Sequence, residues 1–246
     1  MFEEGLWRDH YTMYTFSFEN RKAVIVFPHE ENRTTKWLLK TEYFEAFQDF
    51  EYALVSRGYH LAYLENTSRW IGEGDMDVKL RFRDYLVSRF NLSPKCVPVG
   101  MSCGGLHALM LAVNHPEMVE LLFLDAPVVN LLSCPFGLGS HQTLGENAQQ
   151  EALTALHMNR SDIIAYRNHP LDHIKELVSY KIPMLLMCGG QDKSVPFDEN
   201  GIFLKNAYEA AKIPFSFLYY PERGHHPHGP IDADYEKAIS FIGANS

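Results

Sequence analysis

Short apolar runs alternate with helix-like stretches along most of this chain, and that rhythm limits its fold more than any other feature. "KAVIVF" (22–27), "HLAYLE" (60–65), "KCVPV" (95–99), "VELLFLDAP" (119–127), "PMLLMCGG" (183–190) and "FSFLYYPE" (215–222) read as strands. Several are continuously apolar, as strands buried on both faces should be. Pro98 weakens the strand at 95–99, because it has no N–H to give to a ladder. "YTMYTFSF" (11–18) alternates and reads as a strand turning at Asn20. Helices are expected at 77–90, 104–114, 198–212 and 232–243. A further helix is expected at 38–57, where Leu38, Leu39, Phe44, Phe47, Phe50 and Leu54 recur at near-helical spacing before Gly58.

Strands alternating with helices imply crossover units and an α/β fold: a mostly parallel central sheet with helices on both faces. From 128 to about 176 the pattern breaks into Pro, Gly, Ser and His with short helical pieces. A connection this long without a function is uncommon, so 128–176 is expected to be a cap-like insertion over one end of the sheet. The 246 residues are then one domain, 1–246.

Composition narrows the partners. With 22 basic and 31 acidic residues the net charge is −9, and an acidic surface repels phosphate backbones, which argues against nucleic acid. No apolar run approaches the roughly 18 residues of a membrane span. Cys96, Cys103, Cys134 and Cys188 are scattered, with no CxxC pair, so free thiols in a reducing compartment are expected. The first 20 residues lack a basic region followed by an apolar one. A soluble, cytoplasmic protein is the expectation. Composition is compatible with a homo-oligomer and does not fix one.

In a parallel sheet, ligands sit beyond the carboxyl ends of the strands. After Val99 stands "GMSCG", a G-x-S-x-G at a strand-to-helix junction. Such a junction forms a strained turn that pushes the Ser102 hydroxyl into the open. The following helix turns backbone N–H groups toward the oxyanion that forms when serine attacks a carbonyl. Serine is a weak nucleophile and needs a base, itself oriented by a third group. Asp192 follows the strand "PMLLMCGG", and His225 follows "FSFLYYPE" in "RGHHPHG".

With "GMSCG", "GGQDKSVP" and "GHHPHG" in this order, the chain resembles the α/β-hydrolase superfamily. More narrowly, it is similar to bacterial esterases and prolyl-oligopeptidase-like serine hydrolases, which carry a similar "DAPV" strand end. The resemblance covers about 20 to 245. It implies a hydrolase fold and a Ser102–His225–Asp192 triad, and says little about substrate.

Other residues compete for these roles. Asp125, ending a different strand, is an alternative acid, and Asp198 lies further along, at the next helix. The "HHPH" cluster lacks upstream partners for a tetrahedral metal set, so no metal or cofactor is expected. His226 and His228 are expected to shape the loop or line the pocket rim, and His107 to be structural. The oxyanion hole should use the Cys103 N–H and a donor from the loop after "AVIVF". That loop, "PHEENRTTKW", has no glycine, and Glu30 or His29 is the expected donor. His29, Trp37, Trp70, Phe136 and His226 are further candidates for substrate contact.

The expected reaction is hydrolysis of a small or medium acyl ester, with acylated carbohydrates among the candidates. Alkoxide leaves more easily than amine, which favours ester over amide. A serine peptidase of prolyl-oligopeptidase type and a catalytically silent binding protein are the alternatives.

Overall fold

The computed structural model describes residues 1–140 and 144–246. Among these residues nine strands form one sheet: β1 (Glu3–Trp7), β2 (Tyr11–Phe18), β3 (Arg21–Val26), β4 (Trp37–Lys40), β5 (His60–Leu64), β6 (Val97–Met101), β7 (Leu122–Asp125), β8 (Met184–Gly189) and β9 (Phe215–Tyr220). Their spatial order is β1-β2-β3-β5-β4-β6-β7-β8-β9. The pairs β1·β2, β2·β3 and β3·β5 are antiparallel, and every pair from β5 to β9 is parallel. The carboxyl ends of six strands therefore share one edge, and β3 points the other way.

The described helices are α1 (Asp49–Val55), α2 (Asp75–Phe90), α3 (Cys103–Asn114), α4 (Glu146–Ala155), α5 (Arg160–Ala165), α6 (Ile174–Ser179), α7 (Gly201–Ala211) and α8 (Asp232–Asn245). Strand period two divides the core. On one face Ala23, Ile25, Leu39, Ala62, Leu122, Leu124, Met184 and Leu186 pack with residues of α2, α3, α6 and α7. On the other, Val24, Val26, Leu38, Leu61, Phe123, Leu185 and Met187 pack with residues of α1 and α8. Each fully buried Leu or Phe contributes about 1.5–3 kcal/mol of transfer free energy.

Residues 38–57 are not one helix. Leu38 and Leu39 are both fully buried, on opposite faces, because β4 lies between β5 and β6. A short apolar run satisfies either period, and here the ladder positions decide it. A turn over 41–48 follows, with Tyr43 and Phe47 at φ 54° and 50°, and α1 begins only at Asp49. The strand β6 forms despite Pro98. No helix among the described residues is long and apolar enough to cross a membrane.

Candidate active site

Ser102 stands between β6 and α3 at φ 53°, ψ −121°, a backbone that side chains rarely adopt. Surrounding packing enforces it. A Cβ on Gly100 would lie 2.6 Å from the Gly104 carbonyl oxygen, and one on Gly105 would lie 2.3 Å from Pro127 Cβ. Gly104 has more room, its nearest neighbour being Thr41 Oγ1 at 3.1 Å. So the strictest glycine requirements fall at Gly100 and Gly105. The Ser102 N–H donates to the Asp125 carbonyl (3.0 Å), which pins the turn to β7.

Three separated side chains converge at this edge. His225 Nε2 is 3.0 Å from Ser102 Oγ, and His225 Nδ1 is 2.7 Å from Asp192 Oδ2. Asp192 Oδ1 accepts from the N–H groups of Ser194 (2.9 Å) and Val195 (2.8 Å). A buried carboxylate needs such partners, and this one has three. Its bonds fix it in the turn after β8 and aim the free oxygen at the imidazole.

Asp125 makes a different set of contacts. Oδ1 accepts from Arg223 Nη2 (2.9 Å) and Oδ2 from the Gly229 N–H (2.6 Å), while Arg223 Nη1 donates to the Gly229 carbonyl (2.7 Å). His228 Nδ1 stands 3.4 Å from the same carboxylate. Asp125 therefore clamps the loop that carries His225. Asp198 lies in a 3-10 turn, Phe197–Glu199, ahead of α7.

The convergence opens into a cavity of about 270 Å3 lined by Tyr43, Ala46, Phe47, Arg69, Met101, Ser102, Leu144, His225, His226 and His228. If spherical it would be roughly 8 Å across, just under the usual range of about 300–1,000 Å3 for small-molecule sites. His226 reaches it and stacks on Phe47, with ring centroids 5.4 Å apart. Burial, then the neighbouring His225 and His228, lowers the His226 pKa. Cys103 begins α3, its side chain buried and its thiol pushed up to about 11 by burial. The Tyr43 hydroxyl lies against that thiol and Arg69, and burial raises its pKa. Among the described residues no group of three or more His, Cys, Asp or Glu side chains is arranged to hold a metal. A second groove, about 570 Å3, runs along Thr67, Ser68 and α4 and is lined by none of Ser102, His225 or Asp192.

Several expected contacts lie elsewhere. Glu30 and His29 follow β3, which is antiparallel to β5, with Val26 opposite Leu61 near the amino end of β5. They stand at the far edge of the sheet from Ser102, where His29 Nε2 meets His10 Nε2 at 3.0 Å. The loop that does reach the serine follows β4, a strand hidden inside the expected helix. Trp37 opens β4 beside His60, at that same far edge, fully buried and donating to the Ser93 carbonyl (2.9 Å). Trp70 is in the core, its Nε1 3.3 Å from Glu151 Oε2, and its neighbour Arg69 faces the cavity instead. Phe136 also packs into the core. From the 128–176 stretch, Leu144 lines the cavity. Tyr43, Phe47, Arg69, Met101 and Leu144 line the cavity without being marked as site residues by sequence pattern. The one usable signal was that Arg69 adjoins Trp70, in a loop after a strand end.

Comparison with known proteins agrees with this architecture. The chain is 31% identical over 152 residues to the diacylglycerol acyltransferase/mycolyltransferase Ag85B of Mycobacterium avium, a match covering 59% of this chain and 44% of that one. Among solved structures it superposes on Porphyromonas gingivalis dipeptidyl peptidase 4 (TM-score 0.70, 17% identity, 96% of this chain and 35% of that one). It also superposes on the Pyrococcus horikoshii acylaminoacyl peptidase (TM-score 0.67, 13% identity, 99% of this chain and 42% of that one). The chain thus spans less than half the length of each. At these identities the structural matches establish the α/β-hydrolase fold alone. The sequence model of the prolyl oligopeptidase family matches residues 54–244, most of the chain and all three converging side chains. The chain belongs to the prolyl oligopeptidase family, within the α/β-hydrolase superfamily.

Proposed function

We propose that this protein is a carboxylic ester hydrolase that works through an acyl-enzyme on a small acyl ester. The observation that carries the reading is the unbroken chain Ser102 Oγ–His225 Nε2 (3.0 Å) and His225 Nδ1–Asp192 Oδ2 (2.7 Å), opening on a small cavity. Ser102 attacks the acyl carbonyl while His225 takes its proton. Asp192 holds the imidazole in the right tautomer and stabilises the imidazolium. The oxyanion is received by the Cys103 N–H, at the start of α3, and by the Tyr43 hydroxyl, beside that residue. His225 then protonates the departing alcohol. Water repeats the sequence on the acyl-enzyme and frees the acid.

Peptide hydrolysis is the second reading, favoured by the peptidases among the structural neighbours. Against an aminopeptidase stands the described cavity lining, which includes no carboxylate to meet a cationic peptide amino terminus. The relative named as an acyltransferase is consistent with transfer to or from an oxygen. The stretch 128–176 acts as a partial cap in this reading, Leu144 forming part of the rim.

A fluorophosphonate probe tests the core of the proposal. Wild type should label and Ser102→Ala should not. An unlabelled but folded wild type would make this a binding protein. Matched 4-nitrophenyl esters and 4-nitroanilides then separate the two hydrolase readings, with turnover confined to the esters expected.

A further inference from the structure

The cavity beside Ser102 is basic in a chain of net charge −9. Among the described residues its ionisable lining consists of Arg69, three histidines and a tyrosine, without a carboxylate. Arg69 is the permanent charge among them. Its backbone is held from several sides. Asp75 accepts from the Thr67 N–H (3.2 Å), the Thr67 hydroxyl (2.9 Å) and the Gly72 N–H (2.8 Å). Arg21 pairs with the same carboxylate. Fully buried His107 donates from Nε2 to the Ser68 carbonyl (3.0 Å), and Trp70 is sealed in the core. The arginine thus projects from a fixed loop.

Its guanidinium is oriented as well. Glu151 Oε2 accepts from Nε (2.8 Å) and lies 2.6 Å from Nη2. Tyr43 also hydrogen-bonds the guanidinium, and with five N–H donors the group keeps some for a further acceptor. Glu151 is about half exposed, so water weakens the pair and it screens the arginine little. A planar guanidinium with donors to spare beside Tyr43, in a cavity of about 270 Å3, suits a carboxylate.

We infer that Arg69 is a specificity-determining residue that binds a carboxylate on the acyl portion of the substrate, so that the preferred substrates are half-esters of short dicarboxylic acids. The inference rests on the esterase reading above. The side is assigned by chemistry. His225 protonates the leaving alcohol, which must lie at the histidine flank, whereas Arg69 stands by Tyr43 and Cys103, where the acyl carbonyl is received.

The test compares 4-nitrophenyl hydrogen glutarate with its neutral partner, 4-nitrophenyl methyl glutarate. Wild type should favour the anionic ester about tenfold to a hundredfold in kcat/KM, mainly through KM, as expected of a charge-assisted contact. In Arg69→Gln that ratio should fall to about one, and Arg69→Lys should recover part of it. The ratio is internal to each enzyme, so a general loss of activity does not mimic the effect. Calorimetry on Ser102→Ala reads binding without turnover. Monomethyl glutarate should bind more tightly than dimethyl glutarate, and the difference should vanish in Ser102→Ala/Arg69→Gln. Equal wild-type rates for the two esters, or a ratio unchanged in Arg69→Gln, overturns the inference. Should wild type hydrolyse neither ester, the esterase reading fails and calorimetry alone decides: a difference abolished by Arg69→Gln upholds the anion site, and equal binding overturns it.

Discussion

Tyr43 occupies a position that spacing could not have marked. It follows a strand of only four residues and sits at φ 54°, and its neighbours read as part of a helix. In the fold it lies on the loop after β4, the strand beside β6, so its hydroxyl reaches the thiol of the residue after Ser102. Losing one oxyanion donor typically costs about a hundredfold to a thousandfold in kcat. Tyr43→Phe keeps the ring and its packing. It should lower kcat on 4-nitrophenyl acetate by about a hundredfold and leave KM nearly unchanged, measured by steady-state kinetics. Ser102, Asp192 and His225 were legible for the opposite reason: each directly follows an apolar run, and strand ends at one edge of a parallel sheet must meet.

At the scale of elements, what decided legibility was strand direction. The loop "PHEENRTTKW" does follow a core strand, but β3 runs antiparallel to the parallel block, which no local pattern records. Glu30, His29 and Trp37 were therefore placed at the wrong edge, and the true neighbour of β6 was read as helix. The aromatics Trp70 and Phe136 suggest substrate contacts because loops usually face solvent, yet both are packed into the core. Direction also explains the clamp between β7 and the loop after β9. Asp125 ends β7, and its carboxylate holds Arg223 and Gly229 on either side of His225. Both charges are nearly enclosed, with side chains 4% and 9% exposed. Removing one partner of such a pair strands the other, at a cost of about 3–5 kcal/mol. Asp125→Asn should lose that much in urea unfolding and slow turnover by displacing His225. Asp125→Asn/Arg223→Met should be destabilised by less than the sum of the single changes, because it buries no unpaired charge.

The whole molecule seals basic groups between its layers, and that sets its response to acid. His60 begins β5 and His107 lies on α3, both buried. Burial lowers the His60 pKa to about 4, against a weaker opposing contact with the Lys36 carbonyl. Burial, with the charge of nearby Lys79, lowers that of His107 to about 3. In the unfolded chain both titrate near 6.5. Between that value and the folded ones the unfolded state binds more protons, so stability must fall as pH drops below about 6.5 and is unaffected by these groups above about 7.5. At pH 5.5 each histidine costs about 1.4 kcal/mol relative to neutral pH, and the two together about 2–3 kcal/mol. Urea unfolding at pH 7.5 and 5.5 should show at least that difference, since burial also lowers the pKa of His169 and His226. In His60→Phe, which keeps a ring against Phe27, the acid-induced loss should shrink by about 1.4 kcal/mol, the share that His60 contributes.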